Sequence, residues 1–480
     1  MHRIHQARLV IETQSALSLC SGERDLGADT AVARDASGIP YLPATSIAGV
    51  WLHLSEALQP SQRESWFGSC EQSGRLRISH GLLLNAQGQA VQPLTLPENL
   101  EQDPLLNLVS KTFKRERVRL NDRGTAADTG KFDVTFLPRG LRFVVHLEWT
   151  SQFDESEDDL QQQWSQLMAL WQDPFFRLGS HGRMGHGKIK LLGYDSQSFS
   201  LQKNPEIGQA MQAYQAQNLP TTLTEDFSQR LNSSSSVLLD MPLQALDTWR
   251  YGQGTLSLQE EDTSSSQTSF VYSEKVITWN TDHTFNQLEH KPFLCGSSIK
   301  GMLAHRLAYH YRVQSEQWAE EIPPEHFAQV QTGDEKNIDF YDLVGCAEDS
   351  NKQASLLWVE DSPVKYQPEQ VIKRTYNKVD RFTSGVIGGA LFTEELLEQP
   401  QFRIRILLKK PAAQQNKRVK QHLISALKLT LADMKSGRLP IGAGGGRGHS
   451  LVEFDQANAE SYVFNLSLLS DLDEEAMSCN

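Results

Sequence analysis

LCGSSIKGMLAHRLAYHYR (294–312) and LPATSIAGVWLHLSEAL (42–58) read alike. Each has a small residue, a hydroxyl, Ser-Ile, one further residue, Gly, and then an apolar run with helical spacing. The Ser or Thr before each run suits a helix start. Gly49 therefore matches Gly301, and one chain carries the same unit twice. Three further pairs follow in the same order. FGSCEQSGRLRIS (67–79) parallels VGCAEDSNKQASLLWVED (344–361). RVRLNDRGTAADTGKFDVTFLPRGLRFVVHL (117–147) parallels NKVDRFTSGVIGGALFTEELLEQPQFRIRILL (377–408). RLGSHGRMGHGKIKLLGYD (177–195) parallels LPIGAGGGRGHSLVEFD (439–455), setting Arg183 against Arg447. This ordered set points to a tandem duplication.

Each half reads strand, helix, strand, hairpin, strand, helix, strand. RLVIET (8–13) and SVLLDMPL (236–243) open the halves with strand-like alternation. LRFVVHLEW (141–149) and FRIRILL (402–408) read as third strands. DLQQQWSQLMALWQD (159–173) and KRVKQHLISALKLTLADM (417–434) carry the second helices. KIKLLGY (188–194) and SLVEF (450–454) close the sheets. The order βαββαβ predicts an α+β chain of two tandem ferredoxin-like (RRM-like) domains with inserted hairpins. The expected boundaries are 1–203 and 237–468, with a polar linker at 204–236 and an acidic tail at 469–480.

The 480 residues suit two or three domains, and 39% hydrophobic with 22% charged residues is ordinary for a soluble chain. No apolar run approaches a membrane span, and MHRIHQARLVIETQ (1–14) has no signal-peptide core, so a cytoplasmic protein is expected. Cys20, Cys70, Cys295, Cys346 and Cys479 show no C-x-x-C spacing and indicate neither zinc nor disulfides. The net charge of −13 argues mildly against nucleic acid. Yet cations concentrate in KTFKRERVRLNDR (111–123) and VIKRTYNKVDR (371–381), so a basic groove on an acidic body fits.

Several groups suit phosphate. Thr45 and Ser46, and Ser297 and Ser298 with Lys300, stand at helix starts, where free amides and the helix dipole attract anions. The bland reading is plain helix capping. The loops GSHGRMGHG (179–187) and GAGGGRGH (442–449) hold more glycines than a turn needs, and let backbone amides approach a ligand beside Arg183 and Arg447. Neither a Walker loop nor a dinucleotide fingerprint occurs. Lys111, Lys114, Arg115 and Arg117, and Arg374 and Arg381, are candidate RNA contacts, with Phe113, Tyr376 and Phe382 available for stacking. Asp29, in a loop with Gly22 and Gly27, can hold a divalent metal, orient a hydroxyl, or simply cap a turn. Asp25 is a nearby alternative, and Arg24 and Arg34 can balance developing charge. His181, His186 and His449 admit a third reading, a metal-independent ribonuclease that trims guide precursors.

These motifs resemble the RAMP superfamily of CRISPR-associated proteins. The match is carried by Asp29, Arg34-Asp35, Gly38-Ile39-Pro40-Tyr41, Pro43-Ala44-Thr45-Ser46-Ile47-Ala48-Gly49, Phe67-Gly68 and Gly74-Arg75-Leu76. Asp380-Arg381-Phe382-Thr383, Gly385 and Gly389-Ala390-Leu391-Phe392 carry it in the second half. Ala44, Ala48 and Cys295 depart from the family pattern. The chain looks like a fused double Cas-seven-type backbone subunit of a type III, III-D-like effector complex. The resemblance implies guide (CRISPR) RNA, complementary target RNA and other type III CRISPR subunits as partners, and no self-association without RNA. It implies thumb-like hairpins and target-RNA cleavage at Asp29 with a divalent metal, Mg2+ or Mn2+. In the second half the position matching Asp29 falls at Thr281, next to Asp282, the second catalytic candidate. A non-catalytic structural or guide-capping subunit is the alternative.

Overall fold

The computed structural model describes residues 3–22, 29–55, 60–92, 101–121, 125–151, 156–201, 206–223, 227, 236–259, 268–323, 326, 329–332, 336–346, 352–411 and 417–469. Arg24, Asp25 and all but the first residue of the expected acidic tail lie outside them.

The first half comprises β1 (Arg3–Thr13), α1 (Ala44–Leu54), β2 (Leu76–Ile78), β3 (Phe113–Leu120), β4 (Ala126–Phe136), β5 (Arg142–Thr150), α2 (Glu157–Ala169) and β6 (Ile189–Ser200). Strand alternation puts Ala7, Leu9 and Ile11 on one face of β1 and Arg8 on the other. β5 pairs with β1 so that Leu9 opposes Val145, and it adds Phe143, Leu147 and Trp149 to the buried face. The sheet runs β2–β5–β1–β6, every neighbour antiparallel. Trp51 of α1 and Leu167 and Met168 of α2 cover the buried face, and the Trp51 indole donates to the Leu167 carbonyl at 2.9 Å. β3 and β4 form a separate two-stranded hairpin.

The second half repeats this plan with a longer first helix. It comprises β7 (Val237–Ala245), β8 (Ser273–Trp279), β9 (Phe285–Leu294), α4 (Gly296–Gln314), β10 (Leu357–Val359), β11 (Val371–Tyr376), β12 (Phe392–Glu398), β13 (Gln401–Leu408), α5 (Gln421–Lys435) and β14 (Leu451–Phe454), with α3 (Ile207–Gln215) lying between the halves in sequence. Its main sheet runs β10–β13–β7–β14, again antiparallel throughout. Leu303, Leu307 and Tyr311 from α4 meet Leu423, Leu427 and Leu431 from α5, the helical spacing of a core-facing stripe. β11 and β12 form the second hairpin.

The expected linker is not a plain coil. Its two aromatic residues pin it to the first half. Tyr214, at the end of α3, is buried, donates to Asp195 at 2.7 Å and lies under the Arg8 guanidinium at 4.7 Å. Phe227 is buried edge-on against Tyr194. The polar composition of 204–236 concealed this, because two buried rings are enough to anchor a polar segment.

The halves are also joined directly. The β8–β9 hairpin of the second half lies on the first. Ile277 is 3% exposed within the first half's core, with Trp279, Phe285 and Leu288 packed against it. Phe285 donates its amide to the Ala86 carbonyl at 2.7 Å, and the Trp279 indole donates to Gly140 at 2.6 Å. Gly140 has φ of +83°, and a Cβ there would stand 2.1 Å from the Ile277 carbonyl oxygen, so only glycine permits this approach.

Candidate nucleic-acid interface

The helix starts are capped otherwise than the hydroxyls suggested. The cap positions are Pro43 and Cys295, and neither makes a side-chain cap. Thr45, Ser46, Ser297 and Ser298 fall inside the first turns. The Ala44 amide donates instead to His80 Nδ1 at 3.0 Å, and the Gly296 amide to Asp361 Oδ1 at 2.8 Å. His80 and Asp361 each follow the second strand, in chain order, of the main sheet of their half, so the two caps are equivalent parts of the repeat. Thr45 is exposed, Ser46 and Ser297 are half-buried, and exposed Ser298 is bonded to Tyr251 at 2.7 Å. An anion at Gly296 would have to displace a buried carboxylate.

The basic stretch at 111–123 divides by strand alternation. Lys111 and Lys114 face solvent. Arg115 is 2% exposed and is not an RNA contact. Its guanidinium binds Glu274 at 2.5 Å and Asp361 at 2.7 Å, both from the second half. Arg139 joins Asp361 at 2.7 Å and covers Phe293. Burial pulls the Arg115 pKa down, but Asp361 and its acidic neighbours outweigh it and hold it well above its ordinary value. Alongside, Glu360 takes Arg177 at 2.5 Å and Lys188 at 2.9 Å. Glu274, Asp361, Glu360, Arg139 and Arg177 were missed in the sequence. They draw together only across the fold.

Arg115 and half-buried Arg117 both donate to His186 Nε2, at 2.9 and 2.7 Å. A guanidinium has no acceptor, so Nε2 is unprotonated and Nδ1–H faces Ser18 Oγ at 2.9 Å. His449 repeats the arrangement, with Thr248 at 2.6 Å and the Tyr376 hydroxyl at 2.8 Å. This equivalence corrects the sequence register. Aligning His186 with His449 sets Arg447 opposite Met184, and Arg183 opposite Gly446. Both imidazoles are buried, at 0% and 2% exposure, which removes them as general bases toward RNA. His181 is bonded to Ser180 at 2.9 Å, and burial with Arg117 and Arg115 pushes it down to about 4.

These histidines predict a pH dependence. Burial, Arg115 and Arg117 also hold His186 well below its ordinary value. Below about pH 6.5 the unfolded chain binds protons that the folded chain refuses, so stability is full above that pH and falls toward pH 4. Thermal unfolding from pH 7 to 5 should show a falling midpoint, worth up to about 1.4 kcal/mol per pH unit for each such histidine, and His186→Asn should flatten it.

Arg183 donates to the Ser355 carbonyl at 2.8 Å and stacks at 5.0 Å over Trp358, both second-half residues. Lys300 is half-buried beside it, and burial with Arg183 pushes it down to about 8. These two predicted contacts are therefore brought together. Arg447 is ion-paired to Glu394 at 2.7 Å. Arg34 donates to the Gly38 and Val109 carbonyls, both at 2.8 Å, and serves as a loop clamp. Arg374 and Arg381 are exposed on the second hairpin. At its tip Asp380 Oδ1 accepts from Phe382, Thr383 and the Thr383 hydroxyl, and this turn holds the Phe382 ring 97% exposed.

Asp29 is exposed beside the first hairpin, where its Oδ2 accepts from the Asp133 amide of β4 at 3.0 Å. Asp282 stands differently. It caps the β8–β9 turn by accepting from the Thr284 amide at 3.0 Å and hydroxyl at 2.6 Å, which lower its pKa. The inserted hairpin displaced the counting that nominated it. Asp282→Ala should leave RNA cleavage and the melting midpoint nearly unchanged, as a paired assay would read. Among the described residues no group of three or more His, Cys, Asp or Glu is placed to hold a metal. Asp133 Oδ1, next to Asp29, is buried without a hydrogen-bond partner among the described residues, an oxygen ligand of the kind a hard cation takes.

No helix among the described residues is long and apolar enough to cross a membrane. A search of curated proteins returns no match. Among solved structures the chain is similar to one chain of "Cryo-EM structure of the Type III-B Cmr-beta bound to cognate target RNA", at 15% identity and a TM-score of 0.29. That match covers 40% of this chain and 61% of the other, less than two thirds of its length. The RAMP superfamily profile matches residues 10–190 and 279–453, one region in each half and together more than half of the sequence. With two matched regions and two sheets of the same strand order, the chain belongs to the RAMP superfamily, in tandem.

Proposed function

We propose that this chain is a guide-binding double backbone subunit of a type III CRISPR effector complex, and that its first half cuts target RNA at Asp29. The single observation that carries the catalytic part is the contrast between the two aspartates. Asp29 is exposed at the side of a hairpin with one carboxylate oxygen uncommitted among the described residues, whereas Asp282 is consumed in a turn. Each half reads as a ferredoxin-like unit, with order second–third–first–fourth strand and a hairpin inserted before the third. The hairpins would serve as thumbs across a guide–target duplex, and the exposed Phe382 suits stacking on a base. Base pairing supplies sequence specificity. The protein supplies position.

Cleavage would follow from alignment. The target's 2′-oxygen attacks the adjacent phosphorus, the O2′–P bond forms, and the P–O5′ bond breaks. The products are a 2′,3′-cyclic phosphate and a 5′-hydroxyl. Asp29 orients or deprotonates the 2′-hydroxyl, and in-line placement supplies much of the rate. Asp29 and Asp133 would hold a divalent cation, Mg2+ or Mn2+, which would neutralise charge at the phosphate.

The test of the assembly part is purification with co-expressed complex subunits, followed by sequencing of the bound RNA. A single class of repeat-derived guide is expected. RNA-free protein, or a random RNA population, would count against it. Cleavage of complementary RNA in that complex should stop with chelator and return with Mg2+ or Mn2+. Cleavage indifferent to chelator would overturn the metal assignment.

A further inference from the structure

Near the start of each hairpin stands an apolar residue followed by Lys-Arg, Phe113-Lys114-Arg115 on β3 and Ile372-Lys373-Arg374 on β11. Two residues after each arginine comes the side chain that bonds the buried histidine of its half, Arg117 on His186 and Tyr376 on His449. Each histidine then bonds a hydroxyl just past the opening strand, Ser18 or Thr248. Arg115 and Arg374 therefore hold one position of the repeat. Their surroundings differ sharply. Arg115 is 2% exposed on two carboxylates of the following half. The Arg374 side chain is 43% exposed, and among the described residues its one ion-pair contact is Asp247 at 4.0 Å, itself 66% exposed.

The carboxylate face repeats as well, but with other residues. Asp361 caps Gly296 of α4, and at the matching place His80 caps Ala44 of α1. Glu360, which receives Arg177 and Lys188, corresponds to Ser79. The first half thus presents Ser79 and His80 where the second presents Glu360 and Asp361. A second copy of this chain would bring Arg374 His80 at the place where Arg115 meets Asp361.

From this internal interface we infer that Arg374 and the β11–β12 hairpin dock a further RAMP-fold domain carrying carboxylates at the positions of Glu274 and Asp361, and not a second copy of this chain. The inference rests on the proposed place in an effector complex. It assigns Arg374 to protein rather than to RNA, because the same position within the chain is already taken up by a protein carboxylate pair. It also gives the chain a direction: its second half offers the arginine, and its first half has His80 where the second has Asp361.

The experiment uses the assembled, guide-loaded complex. Arg374→p-benzoylphenylalanine is irradiated and the cross-linked peptides are identified. In parallel, Arg374→Glu is purified by the same route and its subunit content is read by native mass spectrometry. A cross-link into an acidic peptide of another RAMP-fold subunit is expected. Arg374→Glu should lower that subunit's occupancy by at least about tenfold while guide RNA is retained, because reversing one member of a docked charge pair leaves like charges facing. Reversing the cross-linked acid to Arg should restore it. Arg374 is exposed, so an unchanged melting midpoint verifies folding. A cross-link to RNA, a cross-link to a second copy, or full subunit content with Arg374→Glu would each overturn the inference with the proposed function intact. A wild-type chain that recovers neither guide nor subunits would overturn both.

Discussion

Asp29→Ala should leave complementary RNA uncut at one site while guide binding and assembly persist. The carboxylate is exposed and accepts one amide bond within the described residues, so its loss removes no core packing. The groups proposed to bind RNA are others, the exposed lysines, the Phe382 hairpin tip and the Arg183–Lys300 pair. If Asp29 acts at the scissile phosphate, the rate at that site falls by at least about a hundredfold, the usual scale for a positioned acid–base group. The assay is end-labelled target RNA with guide-loaded complex, wild type beside variant. A complete wild-type ladder from Asp29→Ala would make Asp29 a turn residue and leave the first half a non-catalytic backbone.

The second large effect is on stability. Arg115→Ala strands Glu274 and Asp361 as buried charges, with Arg139 as their remaining guanidinium neighbour. Breaking a buried pair from one side costs about 3–5 kcal/mol, because the partner's desolvation is no longer offset. Denaturant titration should show that loss, with the contact between the halves failing early. Arg374→Ala, at the same place in the repeat but exposed, should cost little. Pairing Arg115→Met and Arg139→Met with Glu274→Gln and Asp361→Asn should recover much of the difference, since removing all four charges removes the desolvation burden as well. Equal losses from Arg115→Ala and Arg374→Ala would show that the cluster does not hold the halves together.

The regular elements were legible because their signals are local. β1, β5, α2, β13 and α5 all fall on segments whose apolar spacing names a strand or a helix. The duplication was legible for the same reason. The destinations of the cations were not. Arg115 and Arg183 look like phosphate ligands in a basic run and a glycine loop, and their partners lie far away in sequence, at Asp361 and Ser355. The helix caps failed similarly. A hydroxyl in the first turn is a visible candidate, whereas His80 and Asp361 arrive from a strand that the sequence does not place beside the helix. Tyr214 and Phe227 were the available clue that the linker is anchored. The Lys-Arg pair repeated at Lys114-Arg115 and Lys373-Arg374 was the clue to the interface.

The β8–β9 hairpin has a consequence for how the chain is made. The first half is translated up to Ser200 well before Ile277, Trp279, Phe285 and Leu288 exist. Roughly 80 residues or more separate Ser200 from them, about 4–18 seconds of synthesis. Throughout that interval the nascent first half presents a bare apolar seat. A product that terminates before residue 273 keeps that seat permanently, and should collect in the insoluble fraction when expressed.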